Sequence, residues 1–155
     1  MPTQTARLHD GLRRAVEGEA WHGPHLRLAL DGVTPGIADA RLAGGVHTIH
    51  ELVLHMAAWL GAVERRVRGE AVTLAEAENF PTPGRWEDAV ARVEAAYAAL
   101  ARAVAGLDDD ALEARVPGDG WTAYESVHGA VQHTLYHAGQ IALLRRALGH
   151  PVAQG

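Results

Sequence analysis

The sequence predicts an all-α fold, a four-helix bundle with a long link between its first and second helices. Three observations carry that expectation. Val46, Ile49, Val53, Met56, Leu60, Val63 and Val67 recur at alternating offsets of three and four, the seam that a helix buries against its neighbours. Glycine and proline gather in short stretches between such runs, where they disfavour continuation. No stretch alternates apolar and polar residues as a half-buried strand does. At 155 residues the chain reads as one domain, residues 1–155, long enough to bury its own core.

The first helix is expected from about Thr3 to Glu19, with Leu8, Leu12, Ala15 and Val16 as its apolar side. It breaks at Trp21-His22-Gly23-Pro24, and a shorter helical piece follows from Pro24 to about Leu30. Asp31 to Val46 holds Gly32, Pro35, Gly36, Gly44 and Gly45 and reads as a connection, with one helical turn at Ile37 to Arg41. The second helix spans His47 to about Val67 and stops at Gly69. After the connection through Phe80-Pro81-Thr82-Pro83-Gly84, a third runs from about Arg85 to Ala105, with Trp86, Val90, Val93, Tyr97, Leu100 and Val104 on one side. The turn Pro117-Gly118-Asp119-Gly120 leads into the fourth, Thr122 to Leu148, where Thr122 and Glu125 have the spacing of a capping box.

Composition excludes several chemistries. With 14 basic and 19 acidic residues the formal charge is −5, which argues against nucleic acid or an anionic membrane as partner. There is no cysteine, hence no disulfide, thiolate metal site or cysteine nucleophile. There is no lysine, so neither a Walker lysine nor Schiff-base chemistry is available. The only serine, Ser126, lies outside any nucleophile-elbow motif. No leader or membrane span is visible, so a cytoplasmic location is the expectation. Against these absences stand ten histidines.

On the fourth helix Val127, Ala130, Thr134, His137, Ile141, Leu144 and Leu148 form the seam. His137 thus stands where an aliphatic residue is expected, and His133 lies one turn earlier on the same face. Two imidazoles at i and i+4 can supply two cis ligands to a metal, or be an ordinary core pair. A third donor must come from another helix, and the second helix offers His47, His50 and His55. His50-Glu51-Leu52-Val53-Leu54-His55 resembles the metalloprotease motif but is one residue too long. At about 100° per residue its two rings diverge by roughly 140° and cannot share an ion. The helical pattern alone leaves His50 and His55 both open as third donor, with His47 turned to solvent. His9, His22, His25, His128 and His150 carry weaker signals.

The stretch His47-Thr48-Ile49-His50-Glu51-Leu52-Val53-Leu54-His55-Met56-Ala57-Ala58-Trp59 and the later Gln132-His133-Thr134-Leu135-Tyr136-His137-Ala138-Gly139-Gln140-Ile141 resemble the two signature helices of the DinB/YfiT superfamily. The segment Glu17 to Pro24 is also similar to a DinB-like subgroup. The resemblance implies a four-helix bundle that binds one divalent metal through His55, His133 and His137. It also implies activities that differ between members, among them transferases and isomerases using low-molecular-weight thiols and proteins proposed to be hydrolases.

Three neutral imidazoles would leave a zinc or nickel ion its full charge and an open position. Glu51, Tyr136 and Gln140 are the nearest polar candidates for orienting a small-molecule substrate or water. The expected function is a metal-dependent transferase using a low-molecular-weight thiol. A hydrolase with metal-activated water and a non-catalytic metal-binding scaffold are the alternatives. A homodimer through the third helix or the Trp21 and Trp86 regions is a further expectation.

Overall fold

A computed structural model describes residues 1–118 and 120–153, and these are helical with no strand among them. Four long helices, α1 (Gln4–Val16), α4 (Ile49–Val67), α6 (Trp86–Ala105) and α8 (Ala123–Ala147), are joined by segments carrying four short ones. Of the latter, α2 (Leu26–Leu30) and α3 (Pro35–Asp39) lie between α1 and α4, α5 (Glu76–Asn79) between α4 and α6, and α7 (Asp109–Glu113) between α6 and α8. The long helices pack in a ring: α4 touches α6 and α8, and α1 touches α6 and α8.

Seam residues meet in the centre of that ring. Leu12, Ile49, Val53, Met56, Leu60, Val93, Leu100, Val127 and Ile141 are all buried. Val46, read as the first seam residue, is instead exposed, because it precedes the N-cap Thr48 and lies outside the helix. Trp86, on the apolar side of the third helix and also named with Trp21 as a dimer region, is buried and donates its indole N–H to the Val33 carbonyl (2.9 Å). It cannot serve an exposed dimer surface, whereas Trp21 is fully exposed.

Local chemistry sets the helix ends. α1 stops at Val16, short of Glu19, because Gly18 and Glu19 take positive φ (148° and 57°). The left-handed Glu19 is held by Arg13 on its carboxylate (3.0 Å) and Arg14 on its carbonyl (3.2 Å). The capping box at Thr122 and Glu125 forms, and a second one, not anticipated, starts α4. There Thr48 Oγ1 accepts from Glu51 N (3.2 Å), and Glu51 Oε2 accepts from Thr48 N (2.8 Å). Thr48→Ala should therefore cost about 1 kcal/mol of stability in chemical denaturation; an unchanged midpoint would contradict the cap. The turn placed at 117–120 includes Asp119, which lies outside the described residues. No described helix is long and apolar enough to cross a membrane.

Candidate metal centre

Contact between α4 and α8 brings one histidine from the first to two on the second. His55 stands mid-way along α4 and is 7% exposed; His137 is equally buried, and His133 is half-buried. His133 Nε2 lies 3.0 Å from His55 Nε2 and 3.0 Å from His137 Nε2. The ligating atoms of the three rings all fall within 4.8 Å of one another.

What surrounds two of the rings fixes their tautomers. His55 Nδ1–H donates to the backbone carbonyl of Asn79 (2.9 Å), and since a carbonyl only accepts, Nδ1 carries the proton and Nε2 a bare lone pair. His137 Nδ1–H donates in the same way to Gln140 Oε1 (2.6 Å). Two lone pairs therefore face His133 Nε2, which has at most one proton to offer. At least one of the two 3.0 Å contacts sets lone pair against lone pair, and a cation at their meeting point removes that repulsion. Nitrogens bound to one tetrahedral ion at about 2.0–2.1 Å are about 3.3 Å apart, within a few tenths of an ångström of the two 3.0 Å contacts. The donor set thus fits a divalent ion, with ring N–H groups oriented by a carbonyl and an amide as is usual for metal-binding histidines.

Burial, above all, keeps these rings neutral. It lowers His133 to about 3, with the adjacent His137 and His55 adding to the effect. His55 and His137 are also lowered by burial, partly opposed by their bonds to Asn79 and Gln140.

A stacked column backs His55. The Phe80 ring lies parallel to the His55 ring at 4.2 Å on one face and to His47 at 4.0 Å on the other. Asn79 adds a second tie, its Oδ1 accepting from Trp59 Nε1 (2.7 Å). Neither residue was singled out from the sequence. A backbone carbonyl bond has no residue signature, and Phe80 sits in a stretch that reads only as a connection.

The other candidates have settled places. Glu51 bonds through its carboxylate to Arg41, to the Thr48 N–H and to His47 Nδ1. Burial would raise its pKa, but these partners together hold it below the usual carboxylate range. Gln140 touches His137 and donates from Nε2 to the Tyr136 hydroxyl (3.3 Å). Tyr136, largely exposed, meets the His137 ring edge-on at 5.0 Å. His50 is fully buried elsewhere, bonded through Nδ1 to Asp39 (2.8 Å) and edge-on to Trp86. His47 is stacked on Phe80 rather than merely solvated. His25 caps α2, and His128 stacks on Tyr124. Ser126 Oγ is buried without a hydrogen-bond partner among the described residues, so no base activates it.

Beside the triad opens a cleft of about 810 Å3, lined by His55 and His133 and by largely apolar walls that include Trp59, Leu60, Trp121 and Tyr124. A tight cluster of three neutral imidazoles between two packed helices, bordering a ligand-sized cleft, defines a helical protein with a histidine-only candidate metal site. The family model of the DinB superfamily matches residues 21–141, which include all three histidines, and the chain belongs to that superfamily. Neither the curated proteins nor the solved structures yield a match to the chain.

Proposed function

We propose that the chain is a single-domain four-helix bundle of the DinB type that binds one divalent ion, zinc or nickel, through His55, His133 and His137, and transfers a group to or from a low-molecular-weight thiol. The observation that supports it is the facing of bare Nε2 lone pairs across 3.0 Å, with two rings fixed by Nδ1–H bonds. A divalent ion held by three neutral ligands supplies undiminished positive charge, which lowers the pKa of a coordinating thiol or water.

The chain's own residues do the rest. His55, His133 and His137 hold the ion; Asn79 and Gln140 fix the first and last of them. With no cysteine in the chain, sulfur must come from a second molecule. The Glu51 carboxylate is committed to Arg41, His47 and Thr48, and we assign it the positioning of His47 and hence of the Phe80 column. A thiol suits a centre with no carboxylate bonded to the triad among the described residues, because it loses its proton more easily than water does. Tyr136, exposed against the His137 ring and bonded to Gln140, would orient the incoming molecule.

Cobalt-loaded protein titrated with 2-mercaptoethanol tests this reading. A sulfur-to-metal charge-transfer band is expected in the wild type and absent in His137→Ala. No band, together with turnover of simple esters, would support the hydrolase; no band and no turnover would leave the scaffold. Gln140→Leu removes the acceptor on His137 Nδ1 and should weaken zinc about tenfold in a competition titration. Undiminished affinity would contradict the orienting role.

A further inference from the structure

The lining of the cleft specifies more than its size. We infer that it binds a planar, uncharged aromatic molecule laid against Trp59 and Trp121, with its reacting end toward His55 and His133. This names the acceptor class for the proposed function, and rests on that function only for the chemistry at the reacting end.

A volume of about 810 Å3 falls within the usual range of small-molecule sites, which bury most of their ligand. Trp59, Leu60, Val63, Trp121 and Tyr124 line it, so flat π faces and aliphatic groups dominate, and aromatic rings gain from offset or edge-on contact with such walls. Trp59 is held in place by its bond to Asn79 Oδ1 (2.7 Å), while the carbonyl of the same Asn79 holds His55 (2.9 Å). Trp59 and His55 are therefore held by one residue.

Charge argues against an anionic occupant. The cation of the lining, Arg66, donates from Nε and Nη2 to the Val72 carbonyl (3.0 and 2.7 Å) and lies over the Trp59 ring at 5.7 Å. It is engaged by the protein itself. Glu125, also in the lining, adds negative charge. In the metal-free protein a carboxylate entering the cleft would lose water without gaining a dedicated partner.

Gly129 is the independent observation. It lies inside α8 and lines the cleft. A Cβ there would meet nothing within 4 Å, and Gly129 is not among the positive-φ residues. Neither close packing nor backbone conformation requires glycine, although glycine weakens a helix interior. What its missing side chain does provide is open space in the cleft.

The test is calorimetric titration of 2-naphthol into metal-free and zinc-loaded protein. One-to-one binding is expected in both forms. Gly129→Leu fills the cleft and should weaken binding by about tenfold or more, while Gly129→Ala stays within about twofold. In the metal-free protein, cyclohexanol and 2-naphthoate should each bind about tenfold more weakly than 2-naphthol. In the wild type, nuclear Overhauser contacts should join the naphthol ring to the Trp59 and Trp121 indoles, a readout independent of whether the Leu variant folds. Absence of naphthol binding, contacts confined to other residues, a folded Gly129→Leu that binds like wild type, or equal binding of either competitor would overturn the inference. Naphthol binding that depends on Gly129 in a chain that takes up no metal would sink the metal reading and leave this one standing. Metal uptake without naphthol binding would do the reverse.

Discussion

His133→Ala is expected to lose stoichiometric zinc and nickel, while His9→Ala keeps both. His133 Nε2 lies 3.0 Å from the Nε2 atoms of both other rings. Without it, His55 and His137 remain as two donors from different helices, and two imidazoles hold a divalent ion weakly. Loss of a residue that merely orients a ligand costs 10–100-fold in affinity as a rule, so removing a ligand should exceed about a hundredfold. The fold should persist, because His133 is only half-buried and the seam of α8 is carried by Val127, Ala130, Thr134 and Ile141. Elemental analysis after dialysis, with circular dichroism on the same samples, is the check. Equal metal in the two variants would refute the ligand assignment.

Acid should release the ion and destabilise the metal-free chain. In the unfolded chain imidazoles titrate near 6.5; in the folded one burial lowers all three, His133 to about 3. Below pH 6.5 the unfolded state therefore binds more protons than the folded state, and stability falls as pH falls. The contribution is fully present above about 6.5 and is lost progressively toward pH 3. Metal binding needs the neutral rings, so affinity should decline over the same window, the loss beginning below pH 6.5 because the folded-state values are depressed. Denaturant midpoints of metal-free protein between pH 8 and pH 4 check the first effect. A flat profile in wild type, or an unaltered slope in a variant lacking His133 and His137, would contradict it.

Much of the helical layout was legible because long apolar seams are redundant. Ile49, Val53, Met56, Leu60 and Val63 all point one way, and all are buried. Ends were less legible where a single residue decides. Val46 continues the spacing but falls outside the cap at Thr48, and α1 ends early because Gly18 and Glu19 leave helical φ.

The site was legible in part. The i, i+4 spacing of His133 and His137, with His137 on the seam, marks them as a candidate pair. Periodicity could not separate His50 from His55, since the two differ in what lies opposite: Asp39 and Trp86 for one, Asn79, Phe80 and α8 for the other. Glu51, a carboxylate near histidines, also belongs to a helix cap. Its Thr-x-x-Glu spacing at 48–51 matches the one at 122–125, and both pairs form capping boxes.

X-ray absorption at the zinc edge of the loaded protein tests the convergence of His55, His133 and His137 most directly. Three imidazole nitrogens at about 2.0–2.1 Å around one ion per chain are the predicted result. A shell of oxygen donors with one imidazole or none would contradict it.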